Sequence, residues 1–198
     1  MTLTELKSLI LNSDLEEVVN EVILRGESPH FPTNLVAYVQ AAVRAKYKLA
    51  DSDLDIRVVG SAKLGFGLME KRTKDGLLPR FRPFRPDSDI DLGIISPSLF
   101  ELIWDDLSAH ANNSPWMPWD SGRLGDYMVH GWLRPDHFPK HVRLRRCDDW
   151  WDTFSRLSSD RRLGRRAIRG ALFHSEEHLR RYQIRGLTEC RSALEAGL

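Results

Sequence analysis

The sequence predicts an α+β fold, a small mixed β-sheet with flanking helices, on three observations. Apolar residues recur at three- and four-residue spacing through the first 49 positions. Two short β-branched runs follow, at residues 54–59 and 90–95, and helical patterning returns toward the C-terminus. At 198 residues the chain suits one domain, or one domain with a helical appendage, and is long enough to bury a core.

The elements follow in order. Leu6, Leu9, Ile10, then Val18, Val19, Val22 and Ile23, predict one or two amphipathic helices over 3–24, broken near Asn12-Ser13-Asp14 and stopped at Gly26. Leu35, Val36, Val39, Ala42, Val43 and Tyr47 continue a second helical face from Thr33 to about Leu49. Residues 54–59 are partly alternating and predict a strand that ends at Gly60, with a helix beginning near Ser61. Gly76, Pro79, Pro83 and Pro86 punctuate 70–88, which predicts a long basic loop insertion. Ile90–Ile95 is apolar everywhere except Asp91 and Gly93, the pattern of a central strand covered on both faces. Ser96-Pro97 opens a helix through about His110, and residues 112–125 form a Trp/Pro/Gly loop. Two further strands are expected at Tyr127–Leu133 and His141–Arg145. From Asp148 onward the pattern is helical, with breaks at Ser158–Asp160 and His174-Ser175.

Composition excludes some classes of protein. Hydrophobic residues make up 41% and charged residues 29% of the chain. Its apolar runs fall far short of the roughly 20 residues of a membrane span. The first residues lack the basic patch and apolar run of a signal peptide, so a cytoplasmic protein without a membrane partner is expected. Cys147 and Cys190 imply neither a disulfide framework nor a zinc site. Charge is uneven: residues 1–60 hold six basic and nine acidic residues, 61–86 seven and two, and 156–198 ten and five. A polyanion would find positive charge beside the first turn and near the C-terminus.

Two motifs carry chemistry. In Val59-Gly60-Ser61 a strand ends in a turn of small residues, where Gly60 permits close backbone approach and Ser61 adds a hydroxyl, a combination suited to phosphate. In Asp89-Ile90-Asp91 the carboxylates are two apart on a strand, so both leave one face and can converge on a hard divalent cation, Mg²⁺ or Mn²⁺. An Asp-Ser-Asp triplet is also good turn chemistry.

Gly60-Ser61 at a strand end, a helix, and Ser88-Asp89-Ile90-Asp91-Leu92 on the next strand resemble the signature of the DNA polymerase beta-type nucleotidyltransferase superfamily, over roughly residues 54–110. The resemblance implies transfer of an NMP group from an NTP to an acceptor, which is RNA, protein, a small molecule or a second nucleotide. It implies that Asp89 and Asp91 hold two Mg²⁺ ions, with Gly60, Ser61, Lys63 and Ser88 at the nucleotide. A third carboxylate on a later strand would activate the acceptor hydroxyl; Asp126 is the candidate, with Asp136 behind it. Residues 1–146 would form the nucleotidyltransferase-like domain and 147–198 a helical segment packed on it. The Ser61–Asp89 interval of 28 residues is longer than the superfamily's usual spacing, and a substrate-facing flap is one use for the excess. A catalytically degenerate nucleotide- or RNA-binding regulatory module is the alternative.

Other features have two readings. Lys71, Arg72, Lys74, Arg80, Arg82 and Arg85 clamp triphosphate or nucleic acid, or line a solvated loop. Arg162, Arg166 and Arg169, at helical spacing, bind nucleic-acid phosphates or pair with the acidic N-terminal helices. His174-Ser175-Glu176-Glu177-His178 matches a zinc pattern, with a helix start the plainer account. Of the tryptophans at 116, 119, 132, 150 and 151, core packing is the commoner use, and Tyr127 with Trp132 is placed nearest the site. Trp and Leu outside the strands leave room for a homodimer.

Overall fold

The computed structural model describes residues 1–73, 76–114, 121–138 and 142–197. Helix α1 (Leu3–Asn12) opens on a reciprocal cap in which Thr2 and Glu5 side chains each accept the other's backbone N–H. Asp14 caps α2 (Leu15–Val18), which runs on as a π-helical segment, Val19–Arg25, and ends at Gly26. Helix α3 (Thr33–Tyr47) closes with Lys48 in the left-handed conformation. Strand β1 (Asp55–Val59) then leads through Gly60 into the four-residue helix α4 (Ser61–Leu64).

The basic insertion is built as two short ladders rather than as a loop. Strand β2 (Phe66–Gly67) pairs with β5 (Arg82–Pro83), and β3 (Lys71–Thr73) pairs with β4 (Gly76–Leu78), both antiparallel. Leu77 and Leu78 remain exposed on this arm. Strand β6 (Ile90–Ile95) follows, then α5 (Pro97–Asn113), whose cap Ser96 accepts the Leu99 N–H.

Beyond α5 the order departs from expectation. Tyr127 lies in helix α6 (Ser121–Val129), and only β7 (Trp132–Leu133) is strand; Leu124, Tyr127 and Met128, at three- and four-residue spacing, carry the helical period. Residues 142–144 form no strand and lead into α7 (Arg145–Ser159). The largest difference is β8 (Ile168–Phe173), in a stretch expected to be helical. Gly164 at φ 78° and Arg165 at φ 50° stop the preceding turn, and the chain straightens into the sheet. Helix α8 (Glu176–Glu195) starts as expected, capped by Ser175. Among the described residues no helix is long and apolar enough to cross a membrane.

The main sheet has the order β1-β6-β8-β7, with β6 antiparallel to β1 and parallel to β8, and β8 antiparallel to β7. The segment after residue 146 therefore supplies a central strand as well as helices. Ile90, Leu92 and Ile94 point to one face, packed with Val39, Val43, Ile103, Trp150 and Phe154 from α3, α5 and α7. Ile95 and Val59 point to the other, with Leu6, Ile10, Ile23, Leu179 and Leu187. Both faces are glycine-limited: a β-carbon on Gly170 would stand 2.8 Å from Trp150 Cζ2, and one on Gly93 2.8 Å from Leu179 Cδ2.

Candidate nucleotide and metal site

Pairing of β1 with β6 sets Val59 opposite Asp91, so the turn at Gly60 lies directly over the second carboxylate. Gly60 has φ 64° and ψ −146°, a backbone region that side chains exclude. A β-carbon there would come 3.1 Å from Asp91 Oδ2. The two motifs of the sequence thus share one place, and glycine is what lets them touch. Ser28 Oγ supports the turn from beneath by donating to the Ala62 carbonyl, 2.7 Å.

Asp91 keeps some contact with solvent, yet protein crowds its carboxylate. That crowding, with the neighbouring charge of Asp89, raises its pKa above the ordinary carboxylate value, against the pull of Arg134, Arg169 and Lys71. No donor among the described residues hydrogen-bonds it. Asp89 is held instead by cations: Arg169 Nε at 3.0 Å and Lys71 Nζ at 3.8 Å from Oδ2. Lys71 reaches it from the basic arm, and Arg169 comes from β8, in register with Asp91. Behind them Arg134 forks onto Asp136, 2.8 and 2.7 Å. Burial pushes the Asp136 carboxylate up, but the fork outweighs it and holds the group below its ordinary value. Tyr182 of α8 is raised by burial and feels both Arg134 and Asp91.

Several expected residues stand elsewhere. Lys63 is buried and donates its ammonium to the Gly26 carbonyl, tying α4 to the end of the π-helical segment; burial lowers its pKa. It braces the turn and is not a phosphate clamp in this arrangement. Ser88 Oγ accepts the Arg85 N–H at 2.9 Å, closing the turn before β6. Ser61 stays half-exposed at the start of α4. Asp126 is exposed on α6 rather than on a strand, so it does not extend the carboxylate row of β6.

The arginine stripe is dispersed because its residues never share a helix. Arg162 forks onto Asp160 and stacks on Tyr38, 4.1 Å to the ring centroid. Arg166 lies over Phe84, and Arg169 enters the site. Ser175 Oγ meets His178 Nδ1 at 2.7 Å, which accounts for one imidazole of the zinc pattern. Trp150 and Trp132 are both core, in opposite clusters, and Tyr127 lies tilted against Trp132 at 3.9 Å with Tyr182 edge-on to Trp132 at 5.1 Å. Trp116, Trp119 and Lys74 lie outside the described residues. Cys147 and Cys190 are buried free thiols, and burial pushes Cys147 up to about 12.

Asp89 and Asp91 fit a single hard divalent ion, since Mg²⁺ commonly takes one or two carboxylates and completes its shell with phosphate oxygens and water. The crowded Asp91 carboxylate without a donor, and the space that Gly60 leaves against it, are the features that suit a cation. Among the described residues no group of three or more His, Cys, Asp or Glu side chains is placed to hold a metal ion. Arg134 and Tyr182 escaped sequence reading because only the pairing of β7 and the packing of α8 bring them here. Arg169 had a local signal, a polar residue alternating within Ile168-Arg169-Gly170, masked by the arginine spacing around it.

Compared with protein-family models, with curated proteins and with solved structures, the chain matches none of them.

Proposed function

We propose that this chain is a Mg²⁺-dependent nucleotidyltransferase that moves an NMP group from an NTP to an acceptor hydroxyl. The observation that carries the reading is the contact between motifs: the Gly60 turn lies against Asp91, one residue beyond the Val59–Asp91 pair of the β1–β6 ladder. The β1–β6 register brings the turn and the Asp91 carboxylate together, and the turn holds a conformation open only to glycine.

Each residue then has a part. Asp89 and Asp91 hold the ion, Gly60 lets the backbone approach the phosphates, and Lys71, Arg134 and Arg169 make the surroundings positive. A bound Mg²⁺ supplies neutralisation of the triphosphate charge. The acceptor oxygen forms its bond to the α-phosphorus as the bond to the bridging oxygen breaks, its proton passes to solvent water, and pyrophosphate leaves with the electron pair. Positioning and charge do most of the work in such transfers.

A second reading is favoured by one observation. Arg169 occupies the β8 position beside Asp91, Asp126 is exposed on α6 and Asp136 is tied to Arg134, so among the described residues no third carboxylate is grouped with Asp89 and Asp91. On this reading the chain binds Mg²⁺–NTP, or RNA, as a regulator without turning it over.

Incubation with each α-labelled NTP, with and without total RNA and cell protein, separates the two. Label transferred by wild type and not by Asp91→Ala supports the enzyme. Nucleotide binding without any transfer supports the regulator, and neither binding nor transfer removes both.

A further inference from the structure

We infer that Arg169 is an exchangeable counter-cation: it holds Asp89 while the metal is away, and turns to the triphosphate of the nucleotide when a divalent ion takes that carboxylate. The inference deepens the nucleotide reading above and rests on it.

The geometry begins with the sheet. Parallel pairing of β6 and β8 sets Arg169 level with Asp91, and alternation turns both toward the same face. From there Arg169 Nε reaches Asp89 Oδ2 at 3.0 Å, a contact made by one guanidinium edge. Lys71, from the basic arm, stands farther from the same oxygen at 3.8 Å. Asp91 on β6 and Asp89 just before that strand repel each other, and an apo site needs positive charge beside them. Arg169 supplies that charge from the protein itself.

The ion pair is also easy to give up. The Arg169 side chain is 51% exposed and Asp89 26% exposed, and ion pairs that open to water contribute little to folding. A divalent ion on Asp89 removes the reason for the guanidinium to stay. The freed guanidinium keeps a planar set of donors matched to phosphate oxygens, for which arginine forms charge-assisted, often two-pronged contacts. Because it projects from a central strand, its reach is confined to the neighbourhood of Asp89 and Asp91, where the phosphates of a bound nucleotide would lie. Metal and nucleotide binding are thereby coupled: bare metal must compete with Arg169, whereas metal arriving with a triphosphate gives the displaced cation a new partner.

The test uses the full chain as wild type, Arg169→Ala and Arg169→Lys. Mn²⁺ alone is titrated by the electron paramagnetic resonance of the free ion, and the α,β-methylene analogue of each NTP is titrated calorimetrically with Mg²⁺. For Arg169→Ala we expect Mn²⁺ to bind ~3- to 10-fold tighter, as a competitor is lost. The same variant should bind the preferred analogue at least ~10-fold more weakly, as a phosphate contact is lost. Arg169→Lys keeps a charge without the fork and should lie between the two. Thermal melts check folding; if Arg169→Ala melts early, Arg169→Lys carries the comparison. Wild type that binds both ligands, with Arg169→Ala binding Mn²⁺ no better or the analogue no worse, overturns the exchange and leaves the nucleotide reading standing. Wild type that binds none of the analogues overturns both.

Discussion

The two faces of strand β6 use the same alternation for different ends. One side presents Ile90, Leu92 and Ile94, all buried against α3, α5 and α7. The other presents Asp91, Gly93 and Ile95, and changes character along its length: Ile95 is core, Gly93 admits Leu179 of α8, and Asp91 meets the Gly60 turn. A closed face contributes stability through dense apolar packing. A face that carries charge at one end gives up some of that packing, and needs cations nearby to make the charge tolerable. The carboxylates therefore sit where the second core runs out, with Arg169 and Lys71 on the site's edge.

The largest effect is expected on the closed side. Trp150 is fully buried there, and Trp150→Ala is expected to lower unfolding free energy by about 3–5 kcal/mol in denaturant melts. Protein still folded should bind Mn²⁺ as wild type does, since the cavity opens on the face opposite Asp91. Lost binding in a folded variant would show that the faces are not separable.

Gly60→Ala strains the turn by about 1–3 kcal/mol, because the residue is held in a glycine-only conformation. It also drives a methyl against Asp91 Oδ2. Calorimetric melting and Mn²⁺ titration should fall together, and a variant that loses stability while keeping its Mn²⁺ affinity would detach the turn from the site.

Asp91→Asn sharpens the contrast in the opposite direction. Crowding and the charge of Asp89 both disfavour the Asp91 carboxylate, so the neutral amide should leave the melting temperature equal or higher. Mn²⁺ affinity should fall at least ~10-fold, one charged ligand being lost. A drop in stability would mean that the carboxylate has a structural partner.

The smallest effect is expected at the rim. The Arg134 fork holds Asp136 below its ordinary value of 3.8, so the unfolded chain takes up the proton first as pH falls. The pair's stabilisation is complete above the unfolded value and disappears as pH drops through the lower, folded one. Asp136→Asn should then cost about 1 kcal/mol at neutral pH. Melts repeated downward from pH 5 should show the gap to wild type closing, and a gap independent of pH would assign the loss to packing.

How much of this was legible depended on the range of the signal. Helices α1 to α3, strands β1 and β6 and the start of α5 and α8 announce themselves within a few residues, through capping serines, threonines and aspartates and through hydrophobic period. Strand β8 did not, because Arg161, Arg162, Arg165, Arg166 and Arg169 imitate a helical stripe, and the left-handed turn at Gly164 and Arg165 that breaks it is a backbone event. Lys63 looked like a phosphate ligand beside a phosphate turn; its distance from Gly26 along the chain hid the carbonyl that captures it.

The sequence alone determined the α+β class and the two motifs, since a glycine at a strand end and carboxylates in i, i+2 relation are local facts of spacing. Tertiary structure decided what surrounds them. The β1–β6 register set Gly60 on Asp91, the insertion of β8 between β6 and β7 placed Arg169 level with Asp91, and the edge strand and α8 brought Arg134 and Tyr182. Strand pairing joins residues without regard to their separation in the chain, and the charge balance of this site is a product of that pairing.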